Sequence, residues 1–318
     1  MYELTLHQRA KMDHLNLTSI GHDILQTGNR ALATLFEADV ISINAPIEYG
    51  LDKHIRHEIE AISEFKSIQK GDEPSVEDYS KLIVLLTTNG GSVDVVERIT
   101  RVFREHYETV EYIIPSHAYS AGTVLALSGN KIWMDYFSVL GPIDPQFSFG
   151  KNQWVPGMGY LSKYQELLTQ INGAQDPNKT RAQIAVLLEK FDPNALFQIE
   201  QAIEHSKSLL VDWLPKFKFK DWDLTETSKI KVTDSMKKDR TTAIADILGN
   251  AEHWYSHGRG ISMSDLQSDR IKLKIDDFRS NKEHNSNIRH YNGLFEDYMR
   301  VMGYEAATNT IVRTSIFS

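Results

Sequence analysis

Lys81-Leu-Ile-Val-Leu-Leu-Thr-Thr-Asn-Gly-Gly-Ser-Val93 is the stretch on which the reading of the fold turns. From Leu82 it is a continuous apolar run of strand length, the pattern of a strand buried on both faces of a parallel sheet. Asn89-Gly90-Gly91-Ser92 breaks that run. Between Val93 and Tyr107 the apolar residues Val95, Val96, Ile99, Val102 and Phe103 then fall at helical spacing, with Glu97, Arg98, Arg101 and Arg104 on the other side. A buried strand, a glycine turn and an amphipathic helix make one βα unit.

Working outward, the unit repeats. Val110 to Pro115 predicts a second strand, Ser120 to Ser128 a short helix of small residues, and Lys131 to Met134 a strand after the Gly129-Asn130 turn. Upstream, Ala38 to Ile47 predicts a strand that ends at Pro46, and 51–64 a helix. Strand and helix alternating at this pace imply right-handed crossovers and an α/β fold with a mostly parallel sheet. After Gly150 the character changes: 160–172, 179–190 and 194–214 carry helical periodicity, separated by Asp176-Pro177 and Asp192-Pro193. Thr233 to Leu248 predicts a further helix, stopped by Gly249-Asn250. Ile271 to Ile275 predicts a last strand and Tyr291 to Met302 a helix. The chain thus divides into a helical N-terminal arm (1–36), a core domain (37–280) with a helical insertion at about 155–250, and a C-terminal tail (281–318).

Composition narrows the function classes. The 318 residues are 41% hydrophobic and 25% charged, enough apolar material for a sizeable core. A net charge of −8 argues against nucleic acid or an anionic membrane surface as the main partner, since both need concentrated basic surface. The short basic clusters, Lys216/Lys218/Lys220 and Lys237-Lys238-Asp239-Arg240, read as solvated faces. Cysteine is absent, which excludes disulfides, a thiol nucleophile and thiolate metal sites, and fits a reducing compartment. The first residues, Met1 to Arg9, lack the basic and then apolar pattern of a secretory leader. No stretch approaches the ~20 apolar residues of a membrane span. The expectation is a soluble, cytoplasmic protein.

Three short motifs bear on chemistry. In Thr87-Thr-Asn-Gly-Gly-Ser-Val93, two glycines at the carboxyl end of a buried strand expose backbone N–H groups where an anion could sit, although a plain tight turn has the same sequence. In His117-Ala-Tyr-Ser-Ala-Gly-Thr123, a serine between strand and helix could present its Oγ at the sheet edge as in a nucleophile elbow, or could simply cap the helix. In Leu140-Gly-Pro-Ile-Asp-Pro-Gln146, Asp144 follows the next strand and could reach the same edge, while Asp-Pro is also turn chemistry. No His-Glu-x-x-His, calcium loop or dinucleotide fingerprint is present, so neither a metal nor a cofactor is expected.

Taken together, over about residues 38–147, these motifs resemble the serine dehydrogenase proteinase family, related to the Clp proteolytic subunit and to signal peptide peptidase A within the ClpP/crotonase-like spiral fold. The resemblance implies a serine-type peptidase, with Ser120 as nucleophile and the N–H groups of Gly91 and Ala121 as its oxyanion hole. It also implies an Asp and a His later in the chain: Asp144, and His257 within Trp254-Tyr-Ser-His-Gly-Arg-Gly-Ile261, with His253 as the nearby competitor. Relatives with a Ser-Lys dyad suggest Lys163 as an alternative base, provided it is buried enough to lose its proton at neutral pH. A peptide or polypeptide substrate and a homo-oligomer follow from the same resemblance. Two rival readings remain: a catalytically inactive scaffold or sensor that keeps the fold, and a crotonase-type acyl-CoA enzyme, which would need a carboxylate base where the serine stands.

Overall fold

The computed structural model describes residues 6–69, 79–144, 146–148, 154–173, 176–225, 227–250, 254 and 259–317. It is an α/β structure on a seven-stranded sheet. In chain order the strands of this sheet and of two smaller ones are β1 (Asp39–Asn44), β2 (Lys81–Thr87), β3 (Thr109–Ile113), β4 (His117–Ala118), β5 (Lys131–Met134), β6 (Val139–Leu140), β7 (Gln146–Ser148), β8 (Trp154–Pro156), β9 (Ile261–Ser262), β10 (Asp276–Asp277), β11 (Ala307–Asn309) and β12 (Thr314–Ile316). The main sheet runs β10-β5-β3-β2-β1-β11-β12. Its pairings from β10 to β1 are parallel, and β11 and β12 close the far edge antiparallel.

The apolar runs are continuous because both faces of the sheet are covered. Ile41 and Ile43 of β1, Leu82, Val84 and Leu86 of β2, and Val110 and Tyr112 of β3 enter the larger core. There they meet α2 (Leu51–Gln69), α3 (Val93–His106) and α4 (Ala121–Leu127). The alternate residues Val40, Ile83, Leu85 and Ile113 enter a second core on the opposite face. That face is covered by α1 (Leu6–Phe36) through Leu25, Leu32 and Phe36, and by the long helix Lys282–Met302 through Ile288, Tyr291, Phe295 and Met299. The two segments expected to be an arm and a tail therefore form one layer, and β11 and β12 extend the sheet itself.

A second, shorter ladder lies at the carboxyl ends of the parallel strands. Beyond β1, Ile47 bridges Gly91; beyond β2, Thr88 bridges Ala118; β4 then pairs with β6, and β6 with β9. Each turn of the chain thus lays down a long strand, a sharp corner and a short strand, which is a spiral of βα units. The corners stack on one another, and the candidate site is made of corners.

The insertion is helical, as its periodicity predicts: α5 (Gly157–Gly173), α6 (Pro177–Lys190), α7 (Pro193–Lys216) and α8 (Asp234–Leu248). Asp176 and Asp192 cap α6 and α7, accepting from Asn178 N at 2.9 Å and Asn194 N at 2.8 Å, with proline in the first turn. Leu210, Trp213 and Leu214 of α7 join the main core. The short helix α9 (Met263–Gln267) opens on a capping box formed by Ser262 and Asp265. The final helix, Lys282–Met302, is α10. None of the described helices is long and apolar enough to cross a membrane.

One expected element is absent: Ile271 to Ile275 is not a strand. Ile271, Leu273 and Ile275 are buried and alternate as a strand would. Lys272, however, lies at φ 50°, and the backbone bonds run locally, from Lys272 N to Ser268 O and from Leu273 N to Leu266 O. Burial in a turn has reproduced the period of a strand. Ladder pairing with β5 begins only at Asp276.

Candidate active site

Ser120 stands where β4 ends and α4 begins, at φ 50° and ψ −114°. Residues other than glycine rarely adopt positive φ, and such outliers gather at functional sites. The position is that of a helix N-cap, yet the Ser120 side chain makes no capping bond. Its Oγ instead reaches the carbonyl oxygen of Asp144 at 3.3 Å, a long contact that leaves the hydroxyl available. Simple helix capping does not account for this serine.

Neighbouring groups lock the corner. Gly122 N donates to Tyr119 O at 2.8 Å, and Tyr119 N to Thr88 O at 3.0 Å. Thr123, fully buried, directs its hydroxyl at Ala118 O (2.9 Å) and Gly141 O (2.8 Å) and accepts from Gly141 N (3.0 Å). The strand before the serine, the helix after it and the segment leading to Asp144 are thereby joined around one side chain.

The glycine turn after β2 lies directly against this corner. A Cβ on Gly90 (φ 98°) would meet Tyr119 O at 2.6 Å, Ser120 Cβ at 3.0 Å and Ala121 N at 3.4 Å, so only glycine fits. A Cβ on Gly91 (φ 148°) would lie 2.1 Å from Ile47 O. The peptide joining the two glycines is oriented from one side: Ile47 N donates to Gly90 O at 2.8 Å. In a trans peptide the N–H points opposite to the C=O, so the Gly91 N–H faces away from Ile47. Neither the Gly91 nor the Ala121 N–H donates to any group among the described residues. Ala121 is the first residue of α4, whose N–H has no partner within its own helix.

Asp144 is buried, and its Oδ1 accepts from Met158 N in the first turn of α5 at 2.9 Å. The structure brings Ser120 and Asp144 together, through the serine Oγ and the aspartate backbone carbonyl. Lys163 is not brought into the site. Its side chain is 71% exposed and its Nζ pairs with Glu166 at 2.6 Å, so the burial that would make it a base is missing. His257 and His253 lie outside the described residues. The described residues around them are anchored beside the site: Ile143 N donates to Leu248 O at 2.9 Å, Trp254 Nε1 donates to Ile247 O at 2.8 Å, and Ile261 pairs with Leu140.

His117 also belongs to this region. Its Nε2 lies 3.1 Å from Asn89 Oδ1 and its Nδ1 3.1 Å from Ser116 Oγ. Burial lowers its pKa, opposed by the charge of Glu296, so the neutral ring is favoured. Thr88, whose backbone pairs with His117 and Tyr119, and Thr123, whose hydroxyl bonds Gly141, escape a sequence reading, because their roles are pairings between separate segments. Among the described residues no three His, Asp or Glu side chains gather as metal ligands.

A spiral of βα units with a serine at a strained strand-to-helix corner beside a glycine turn is an α/β arrangement with a mostly parallel sheet. More narrowly, residues 70–154, the segment that holds Ser120, Gly91 and Asp144, are similar to the family of ClpP-like SDH-type serine proteinases. A 63-residue stretch is 40% identical to an uncharacterised protein of Methanocaldococcus jannaschii, and 38% identical over 63 residues to a second protein of that organism. Each match covers 20% of this chain and 22% of the relative, so it spans about a fifth of the length of these curated relatives. Among solved structures, ClpP1 from Listeria monocytogenes superimposes with a TM-score of 0.37 at 10% identity, covering 77% of this chain and 95% of that one. A membrane-bound stomatin-specific protease gives 0.27 at 16% identity, over 53% of this chain and 83% of that one.

Proposed function

We propose that the protein is a serine hydrolase, a peptidase that cleaves peptide bonds through an acyl-enzyme on Ser120. In this reading His257 takes the Oγ proton as Oγ attacks the scissile carbonyl, and Asp144 orients the imidazole. The carbonyl oxygen, now an anion, accepts from the N–H groups of Gly91 and Ala121. Collapse of the tetrahedral intermediate expels the amine with the proton returned by His257. A water then repeats the sequence on the acyl group and frees the serine.

One observation carries the proposal: Ser120 is held at positive φ in a capping position without capping, next to two backbone donors that no group among the described residues uses. The anchoring of Trp254 and Ile261 beside the Asp144 segment supports a histidine from that part of the chain as the base. A polypeptide substrate, a homo-oligomeric assembly and a cytoplasmic setting belong to the same reading. Exposed apolar residues on the insertion, Ile184 and Leu188 of α6 and Phe197 of α7, support it as the assembly surface.

The test is hydrolysis of an unstructured protein substrate such as casein by the full chain. Wild type should release peptides, and Ser120→Ala should lose at least about 10³-fold in rate. Equal cleavage by both proteins would remove Ser120 from the chemistry, and no cleavage by either would favour the scaffold.

A further inference from the structure

We propose that His117 is a positioning residue for this reaction: it ties the Asn89 side chain to the strand entering Ser120 and so holds the Gly91 N–H on the oxyanion site. The inference rests on the function proposed above and extends it to a residue that the triad does not use.

The turn after β2 is fixed at both ends by backbone. At its start, Thr88 N donates to His117 O (3.1 Å) and Thr88 O accepts from Tyr119 N (3.0 Å). At its end, Ile47 N donates to Gly90 O (2.8 Å) and Ser92 N to Ile47 O (2.8 Å). Asn89 lies between these ladders, exposed, and its backbone makes no hydrogen bond among the described residues. What fixes it is its side chain, through Oδ1 to His117 Nε2 at 3.1 Å. Two glycines follow it, so any looseness at Asn89 passes to the peptide that carries the Gly91 N–H. His117 itself is held by its strand, by Ser116 Oγ at Nδ1, and by the Tyr119 ring with centroids 5.1 Å apart. One side chain thus joins the loop supplying one oxyanion donor to the corner supplying the other.

The pairing also sets the tautomer. Asn89 Oδ1 only accepts, so Nε2 carries the proton and Nδ1 is left to accept from the Ser116 hydroxyl. Nε2 keeps its proton in the imidazolium too, so the tether does not depend on the charge of the ring. A glutamine at this position has an amide N–H that can take over the donation.

The experiment compares wild type, His117→Ala and His117→Gln in the full chain by two readouts. Steady-state hydrolysis of a peptide ester should show kcat falling about tenfold in His117→Ala with KM within about twofold, a fraction of the loss on deleting an oxyanion donor. His117→Gln should regain most of it. Amide hydrogen exchange over residues 88–93 should speed up in His117→Ala and return to the wild-type rate in His117→Gln. Wild-type exchange in His117→Ala would overturn the tether. So would a raised KM with unchanged kcat, which would make His117 a substrate contact. If wild type itself hydrolyses nothing, the peptidase reading falls, and the exchange rates still decide whether His117 holds the turn.

Discussion

Holding a serine at positive φ costs about 1–3 kcal/mol against relaxed backbone, and Ser120 stays there because its surroundings leave no alternative. The Thr123 hydroxyl, the Gly141 N–H and the Tyr119 carbonyl fix the corner from three sides. The same reasoning makes Gly91 the most sensitive backbone position nearby. In Gly91→Ala the new methyl would lie 2.1 Å from Ile47 O, so the peptide must rotate and its N–H must leave the proposed oxyanion site. Loss of one such donor costs about 10²–10³ in rate. We expect kcat/KM to fall by that factor while circular dichroism stays that of wild type; an unchanged kcat/KM would exclude Gly91 as a donor. At this scale much was legible. Gly90-Gly91 and Ser120 stand out in the sequence because few functions require those residue types at those corners. The choice between nucleophile and helix cap was not legible, since both begin a helix with serine. The backbone angles and the absence of a capping bond weigh against a plain cap.

Between elements, the layer formed by α1 and α10 shows what the sequence hides. Tyr291 of α10 is buried against the sheet. Its hydroxyl accepts from Ser42 Oγ of β1 at 3.0 Å and from Asn309 Nδ2 of β11 at 2.6 Å. One phenol therefore ties the helix to two neighbouring strands of the main sheet. Tyr291→Phe keeps the ring and strands two buried donors, at a cost of about 1–3 kcal/mol for each group left unpaired. The denaturant midpoint should drop accordingly without a change in slope; an unchanged midpoint would show that the network adds nothing. Nothing in residues 281–318 announces this, because a helix packed on a sheet made of residues far upstream looks, taken alone, like a polar segment with apolar punctuation. The central βα unit was readable for the opposite reason: β2 is apolar from Leu82 to Leu86 and α3 carries its own apolar stripe. Ile271 to Ile275 misleads because three buried side chains in a turn copy the period of a strand, and the positive φ of Lys272 and the local backbone bonds mark the difference.

Across the whole molecule, the spiral places every functional corner on one short ladder: Ile47 beside Gly91, Thr88 beside Ala118, and β6 between β4 and β9. Gly91, Ser120 and Asp144 come from successive turns of that spiral, which is why residues far apart in the chain meet without a long loop. The family match covers residues 70–154, the turns that carry this ladder from Gly91 to Asp144. The most direct test is labelling of the full chain with a fluorophosphonate, read by intact mass and by mapping of the modified peptide. The account predicts one adduct per chain on Ser120, absent in Ser120→Ala and strongly slowed in His257→Ala. An adduct on another residue, or none on wild type, would contradict it.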